Sequence, residues 1–321
     1  LNRAALVGRA VESALAQTHA SVEIIVSNNG STDDTRAVLD RYAAAPRLRI
    51  LHRETTIPAT DHGTFLVEQA RGEFFVGLSD DDWLLPQFAE RAVALYDSRP
   101  GLAFVWTGCM MHYGEVATPA KTGPEVERGP DFLAAFLAGR RDVCWCACVT
   151  RTADLREIGP IPRDVICGDM FYWTKIAQKG DVGCVPEILS HYVAYRHLGD
   201  GSAGGTPVLT WAADSARWTH DIVAACEDAL DGAGRKQLEH DAAVFLARTT
   251  ANQFVWNAMR GARRLRLLKT IRPAMPYLVA PDATPWIRVV AALVAPRWML
   301  RSRMLAEARR RARAAEAAQS K

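Results

Sequence analysis

The apolar run Phe74–Leu78 ends abruptly in Ser79-Asp80-Asp81-Asp82, and this is where a divalent cation would sit. Three adjacent carboxylates repel one another and prefer bulk water. Beside an apolar strand they are explained either by a metal and its ligand that neutralise them, or by a solvated turn with an aspartate helix cap before Leu84. A second acidic candidate is Asp169, which opens the aromatic stretch Met170-Phe171-Tyr172-Trp173. It would either accept a proton in a closed cleft or cap the helix that follows.

These groups need elements to hold them. Val22–Val26 reads as a short apolar strand that runs into the polar loop Ser27–Thr35, followed by a helix from Arg36 to about Tyr42. Within the loop Gly30 permits a tight turn, and Ser31, Thr32 and Asp33 can cap the helix without any ligand. Two strands, each ending in a polar loop with a helix beyond it, describe a parallel α/β sheet whose ligands gather at the strand C-terminal ends.

Asn2-Arg3 with the helix to Thr18-His19, then EIIVSNNGSTDDT, then ARGEFFVGLSDDDWLLP, resemble in order and spacing the family 2 glycosyltransferases of GT-A fold. The block Gly168–Trp173 with Val185-Pro186-Glu187 is similar to that family's acceptor-side segment, and the resemblance extends to about residue 200. It implies a Rossmann-like, mostly parallel sheet flanked by helices over residues 1–205; beyond its reach, residue pattern and charge read as a helical region over 206–283 and a basic amphipathic tail over 284–321. The implied activity is inverting, metal-dependent transfer from a nucleoside diphosphate sugar, UDP by default, to a hydroxyl of a glycan or lipid-linked acceptor. Carried over position by position, the resemblance puts Asn28 and Asn29, where relatives usually have two Asp, at the base and ribose, and Asp80 at the ribose. Asp81 becomes the ligand of Mg²⁺ or Mn²⁺, with Asp82 beside it as a further metal-site or sugar-contacting group. Asp61 and His62 approach the nucleotide or donor sugar, Asp169 is the general base, and Arg196 and His197 reach phosphate or metal. The Gly-rich stretch Gly199–Gly205 becomes a flap or a linker. The alternative is a non-catalytic sugar-nucleotide-binding or scaffold protein of the same fold, suggested by Asn28 and Asn29 and by the missing first strand.

The 321 residues, 49% hydrophobic, are ample for a large core. Cys144, Cys146 and Cys148 would share one face of a strand, as buried small side chains or, less simply, a zinc cluster, and the seven cysteines point to a reducing cytosol. The chain starts without Met and without the apolar strand that relatives place before Asn-Arg, so a truncated start is expected. Charge is uneven: residues 260–321 hold 15 Lys and Arg against 3 Asp and Glu, while 1–259 hold 24 against 33. The apolar part of Trp286–Leu300 is far short of the ~20 residues of a spanning helix. It either lies on a membrane surface, with Trp286 and Trp298 at the headgroups and Arg301, Arg303 and Arg309–Arg311 toward anionic lipid, or packs on the catalytic domain with a basic solvent face. No recognition motif accompanies the basic clusters, so nucleic acid is not an expected partner. The helices of 207–258 are expected beside the acceptor cleft or in a homodimer contact, and the protein in the cytoplasm, peripheral to a membrane.

Overall fold

Helix α1 (Val7–Leu15) buries Val7, Ala10 and Val11 at the i, i+3, i+4 spacing of an amphipathic helix. Val7 and Val11 pack on Leu39, the buried apolar residue of α2 (Thr35–Asp40). In this computed structural model, which describes residues 1–194 and 206–319, α2 is the crossover between β1 (Ile24–Asn28) and β2 (Leu48–His52). Those strands are parallel, with Ile24 opposite Leu48 and Asn28 opposite His52. Helix α3 (Ala59–Gln69) follows, then β3 (Phe74–Phe75), β4 (Trp83–Leu84), α4 (Phe88–Ser98), β5 (Phe104–Tyr113), β6 (Val116–Pro119) and β7 (Val126–Glu127). Next come α5 (Gly129–Leu137), β8 (Cys148–Arg151), α6 (Thr152–Ile158), α7 (Gly168–Ala177) and the long β9 (Val182–Val193).

A seven-stranded sheet runs β3-β8-β5-β9-β4, with β6 on β5 and β7 on β9. Its β3–β8, β5–β8, β4–β9 and β7–β9 ladders are antiparallel. The α/β fold class therefore stands, with its parallel ladder carried by β1 and β2. The expected strand Phe74–Leu78 is shorter than its apolar run: only Phe74 and Phe75 pair, and Val76 and Leu78 pack against the α4 core of Phe88, Ala92 and Leu95. Gly77 lies under the Trp145 indole, where an added Cβ would sit 1.7 Å from Nε1. Cys144–Cys148 also departs from the alternating strand. Trp145–Ala147 form a 3₁₀ turn, and β8 begins only at Cys148, although all three thiols are buried.

Two units divide the chain. The first comprises Leu1–Met111, Pro119–Phe132 and Asp142–Val193, and the second His112–Thr118, Leu133–Arg141 and Ala194–Lys321. The second contains α8 (Val208–Cys226), α9 (Gly232–Met259), α10 (Arg264–Ala274), α11 (Thr284–Val294) and α12 (Arg297–Gln319). Asp231 caps α9 by accepting the Gly234 N–H at 2.7 Å. Val208, Phe254, Leu267, Val289 and Leu300 share one core, so helices of segments 206–283 and 284–321 pack together.

Gly77→Ala is expected to lower stability by about 1–3 kcal/mol, because the Trp145 ring must leave its packing position. Thermal denaturation measures this; an unchanged midpoint would contradict the packing described.

Candidate active site

One face of α1 holds the acidic turn. Arg9, Ser13 and Gln17 recur every four residues and so lie in one row along the helix and its C-terminal extension. Arg9 Nη2 donates to the Asp81 carbonyl at 2.7 Å, and Ser13 Oγ accepts the Leu84 N–H at 3.2 Å. Gln17, 6% exposed, donates to the Leu85 carbonyl at 2.9 Å and accepts the Ala89 N–H at 3.0 Å. The backbone from Asp81 to Ala89 is thereby fixed before any ligand arrives.

The three carboxylates diverge on this frame. Asp80 pairs with Arg3 Nε at 3.2 Å. Asp82 is 2% exposed and accepts the Val193 N–H at 2.9 Å, which ties the turn to the end of β9. Burial pushes Asp82 up to about 7, opposed by that N–H. Asp81 lies between them, half-buried, with its carbonyl on Arg9. Beside the turn, Trp83 stacks on its ladder partner His191 with centroids 4.5 Å apart, and the Arg9 guanidinium lies 3.7 Å from the Trp83 centroid.

The loop after β1 is built from amides. Asn29 donates to the Ile57 carbonyl at 2.9 Å and accepts the Ile57 N–H at 3.0 Å. Asn28 accepts the Ser31 N–H at 3.1 Å, with its amide nitrogen 3.4 Å from His52 Nδ1. A carboxylate at position 29 could make only the accepting half of its pair. Gly30, at φ +70°, lies so close to Thr56 that a Cβ would fall 2.7 Å from its nitrogen. Asn28 and Asn29 are 5% and 7% exposed, so the structure places them as the loop's internal struts.

Asp61 is held by Arg163, with Nη2 at 2.8 Å from its carboxylate. His62 shares a 2.7 Å hydrogen bond with Ser27 Oγ at the end of β1, and burial, reinforced by the Arg53 charge, holds it below the usual histidine range. Arg53, directly after β2, lies 5.4 Å from the Phe65 ring centroid, and its buried Nε has no hydrogen-bond partner among the described residues. Asp169 stands in the first turn of α7, whose N-cap is Cys167. Burial pushes the half-buried Tyr192 phenol up. Arg196, His197 and the Gly199–Gly205 stretch lie outside the described residues.

Residues 1–159 match the Glycosyl transferase family 2 model. The chain carries a family 2 glycosyltransferase domain. Chondroitin synthase of Escherichia coli is 35% identical over 100 residues, which are 31% of this chain and 14% of that protein. Hyaluronan synthase of Pasteurella multocida is 34% identical over 107 residues, 33% of this chain and 11% of that one. The chain thus matches only a small fraction of the length of these relatives. Among solved structures, Staphylococcus aureus TarS 1-349 in complex with UDP-GlcNAc aligns with TM-score 0.59 at 15% identity, covering 91% of this chain and 86% of that one. Mannosyltransferase PcManGT from Pyrobaculum calidifontis, in complex with GDP-Man and Mn²⁺, aligns with TM-score 0.52 at 18% identity, covering 91% and 83%. These likenesses establish the GT-A fold.

For the glycosyltransferase domain the metal question comes down to donor groups. Among the described residues no three His, Cys, Asp or Glu side chains are grouped as a metal cage. A hard cation held by one carboxylate together with phosphate oxygens and water needs no cage, and Asp81 fits that description. Asp82 turns one carboxylate oxygen inward onto the Val193 N–H, a backbone donor that only folding brings near. Asn28 and Asn29 both make hydrogen bonds that brace the loop. Sequence reasoning missed Arg9 and Arg53. The four-residue spacing of Arg9, Ser13 and Gln17 was the available signal for the first, and a cation directly after an apolar strand for the second.

Asn29→Asp is expected to cost about 1–3 kcal/mol, because the Ile57 carbonyl loses its donor and faces a carboxylate. Equilibrium denaturation is the measurement; equal stability would return Asn29 to a ligand-facing role.

Proposed function

We propose that the protein is an inverting glycosyltransferase that moves a sugar from a nucleoside diphosphate sugar, UDP-linked by default, to a hydroxyl of a glycan or lipid-linked acceptor. Support comes from the family 2 match together with one feature of the site: the acidic turn is held in place on α1 by Arg9 and Ser13, with Asp81 half-buried at its edge. The acceptor oxygen attacks the anomeric carbon, its proton passes to the Asp169 carboxylate, and the bond from that carbon to the diphosphate oxygen breaks with the electron pair leaving on the diphosphate. Asp81 would hold Mg²⁺ or Mn²⁺, which when bound neutralises the charge that develops on the leaving group.

The chain's own groups supply the rest. Arg9 and Ser13 keep the turn in place, Asp80 and Arg3 border it, and the Asn28–Asn29 loop shapes the nucleotide side. Arg53, directly after β2 with its guanidinium beside Phe65, supplies a cation for an anionic group of the nucleotide. The scaffold alternative loses one of its two motives, because Asn29 has a structural reason to be an amide.

Nucleoside diphosphate release from a panel of nucleotide sugars with Mn²⁺ tests the proposal. Asp169→Asn and Asp81→Asn should each reduce turnover about 10²-fold or more. Asp82→Asn keeps an oxygen for the Val193 N–H and should stay within a few-fold of wild type. Near-normal turnover in Asp169→Asn or Asp81→Asn would defeat the mechanism.

Arg53→Met should weaken nucleotide binding roughly tenfold, the loss of one charge-assisted hydrogen bond, at an unchanged melting temperature. Calorimetry that finds equal affinity would remove Arg53 from the site.

A further inference from the structure

The second unit carries apolar side chains that its own core does not use. Helix α11 buries Val289 and Ala292, yet on its other side Ile287, Val290 and Val294 are 56%, 54% and 75% exposed. Helix α10 likewise buries Leu267 while Leu265 and Leu268 are 65% and 50% exposed, and Trp298 at the start of α12 is 67% exposed. Of the large exposed hydrophobic residues among the described positions, all but Leu1 fall between Leu265 and Met299. A helix apolar on both sides is ordinarily covered on both, and a cluster of this kind marks an interaction surface.

Two contacts bring these positions together. The Arg264 guanidinium donates to the Ala292 carbonyl and, at 2.5 Å, to the Ala295 carbonyl, so the start of α10 closes the end of α11. Arg297, opening α12, lies against Gly261, where a Cβ would fall 2.6 Å from its Nη2. Around this corner one groove of about 580 Å³ is lined by Arg263, Leu265, Arg266 and Lys269 with Gly261 and Ala262. A second, of about 270 Å³, is lined by Met259, Arg297, Trp298 and Arg301. The five cationic residues are exposed, and Asp282 is the one carboxylate in the sequence from Ala258 to Ala306.

We propose that this corner of α10, α11 and α12 docks on an anionic lipid bilayer, with Leu265, Val294 and Trp298 entering the acyl boundary and the two basic grooves receiving lipid phosphates. Cations next to exposed aliphatic and indole groups match the layered chemistry of a headgroup region. A second copy of the chain would set five like charges against five. The helices lie on the bilayer rather than across it: the eleven residues of α11 span ~16 Å against a hydrocarbon core of ~30 Å, and no helix among the described residues is long and apolar enough to cross. This surface keeps Trp298 and Arg301 of the one expected from sequence, and leaves out Trp286 and the later α12 arginines. Exposure instead brings in α10, which no apolar run announces. Vesicle binding and donor turnover are separate readouts, so this proposal and the transferase reading fail independently.

The test is flotation of the full chain with vesicles of phosphatidylcholine alone or with 30% phosphatidylglycerol (about one lipid in three, enough to set a negative surface potential). The wild type should partition at least tenfold more strongly onto the anionic vesicles. The triple change Leu265→Ser, Val294→Ser, Trp298→Ser, and separately Arg263→Glu, Arg266→Glu, Lys269→Glu, should each abolish that gain while circular dichroism and nucleoside diphosphate release in solution stay at wild-type values. Equal partition onto both vesicle types, retention of binding by either folded triple variant, or concentration-dependent dimerisation blocked by the serine changes with no vesicle binding would overturn the proposal.

Discussion

Adjacent ionised carboxylates cannot share one environment cheaply, and the way this fold separates Asp80, Asp81 and Asp82 governs the rest of the first unit. One is neutralised by Arg3, one is drawn into the interior by the Val193 N–H, and one remains at the edge. The separation requires a fixed backbone, because a turn free to rotate would expose all three to water. That fixing comes from the α1 row of Arg9, Ser13 and Gln17 on one side and from the pairing of Trp83 with His191 on the other. Local strength is modest, since each hydrogen bond contributes only about 0.5–1.5 kcal/mol net. The turn holds because several act on nine consecutive residues, Asp81 to Ala89.

The nucleotide-side loop follows a similar rule with neutral groups. Asn29 uses both halves of its amide on Ile57, and Gly30 lets the chain pass within contact of Thr56. A loop braced this way is preorganised, so less ordering is needed when a ligand arrives. Polar groups spent on scaffolding leave recognition to fewer side chains, which is why the unpartnered Arg53 Nε stands out in a region otherwise satisfied.

Sequence alone made the main pieces legible. The polar loop after β1, the acidic turn before Trp83 and the aromatic helix opening at Gly168 were readable because each is a contiguous motif with strong local chemistry. What escaped it was non-local. The inward turn of Asp82 depends on a backbone group 111 positions away, and the bracing of Asn29 on a segment 28 positions away. The apolar run Phe74–Leu78 looked like a full strand because hydrophobic residues serve a ladder and a core equally well; the Trp145 indole over Gly77 could not be foreseen from spacing. The three cysteines showed the same ambiguity, buried as expected but on a 3₁₀ turn rather than along one strand face. In the second unit composition revealed the excess of positive charge, while the outward leucines of α10 became visible only through their exposure.

The central proposal is that Asp81 is the carboxylate that meets the cation, and manganese anomalous scattering from crystals grown with UDP and Mn²⁺ examines it directly. The account predicts a peak within bonding distance of the Asp81 carboxylate, with Asp82 still on the Val193 N–H. A peak bonded to Asp82 with that contact broken, or manganese bound with no oxygen from Asp81, would contradict it.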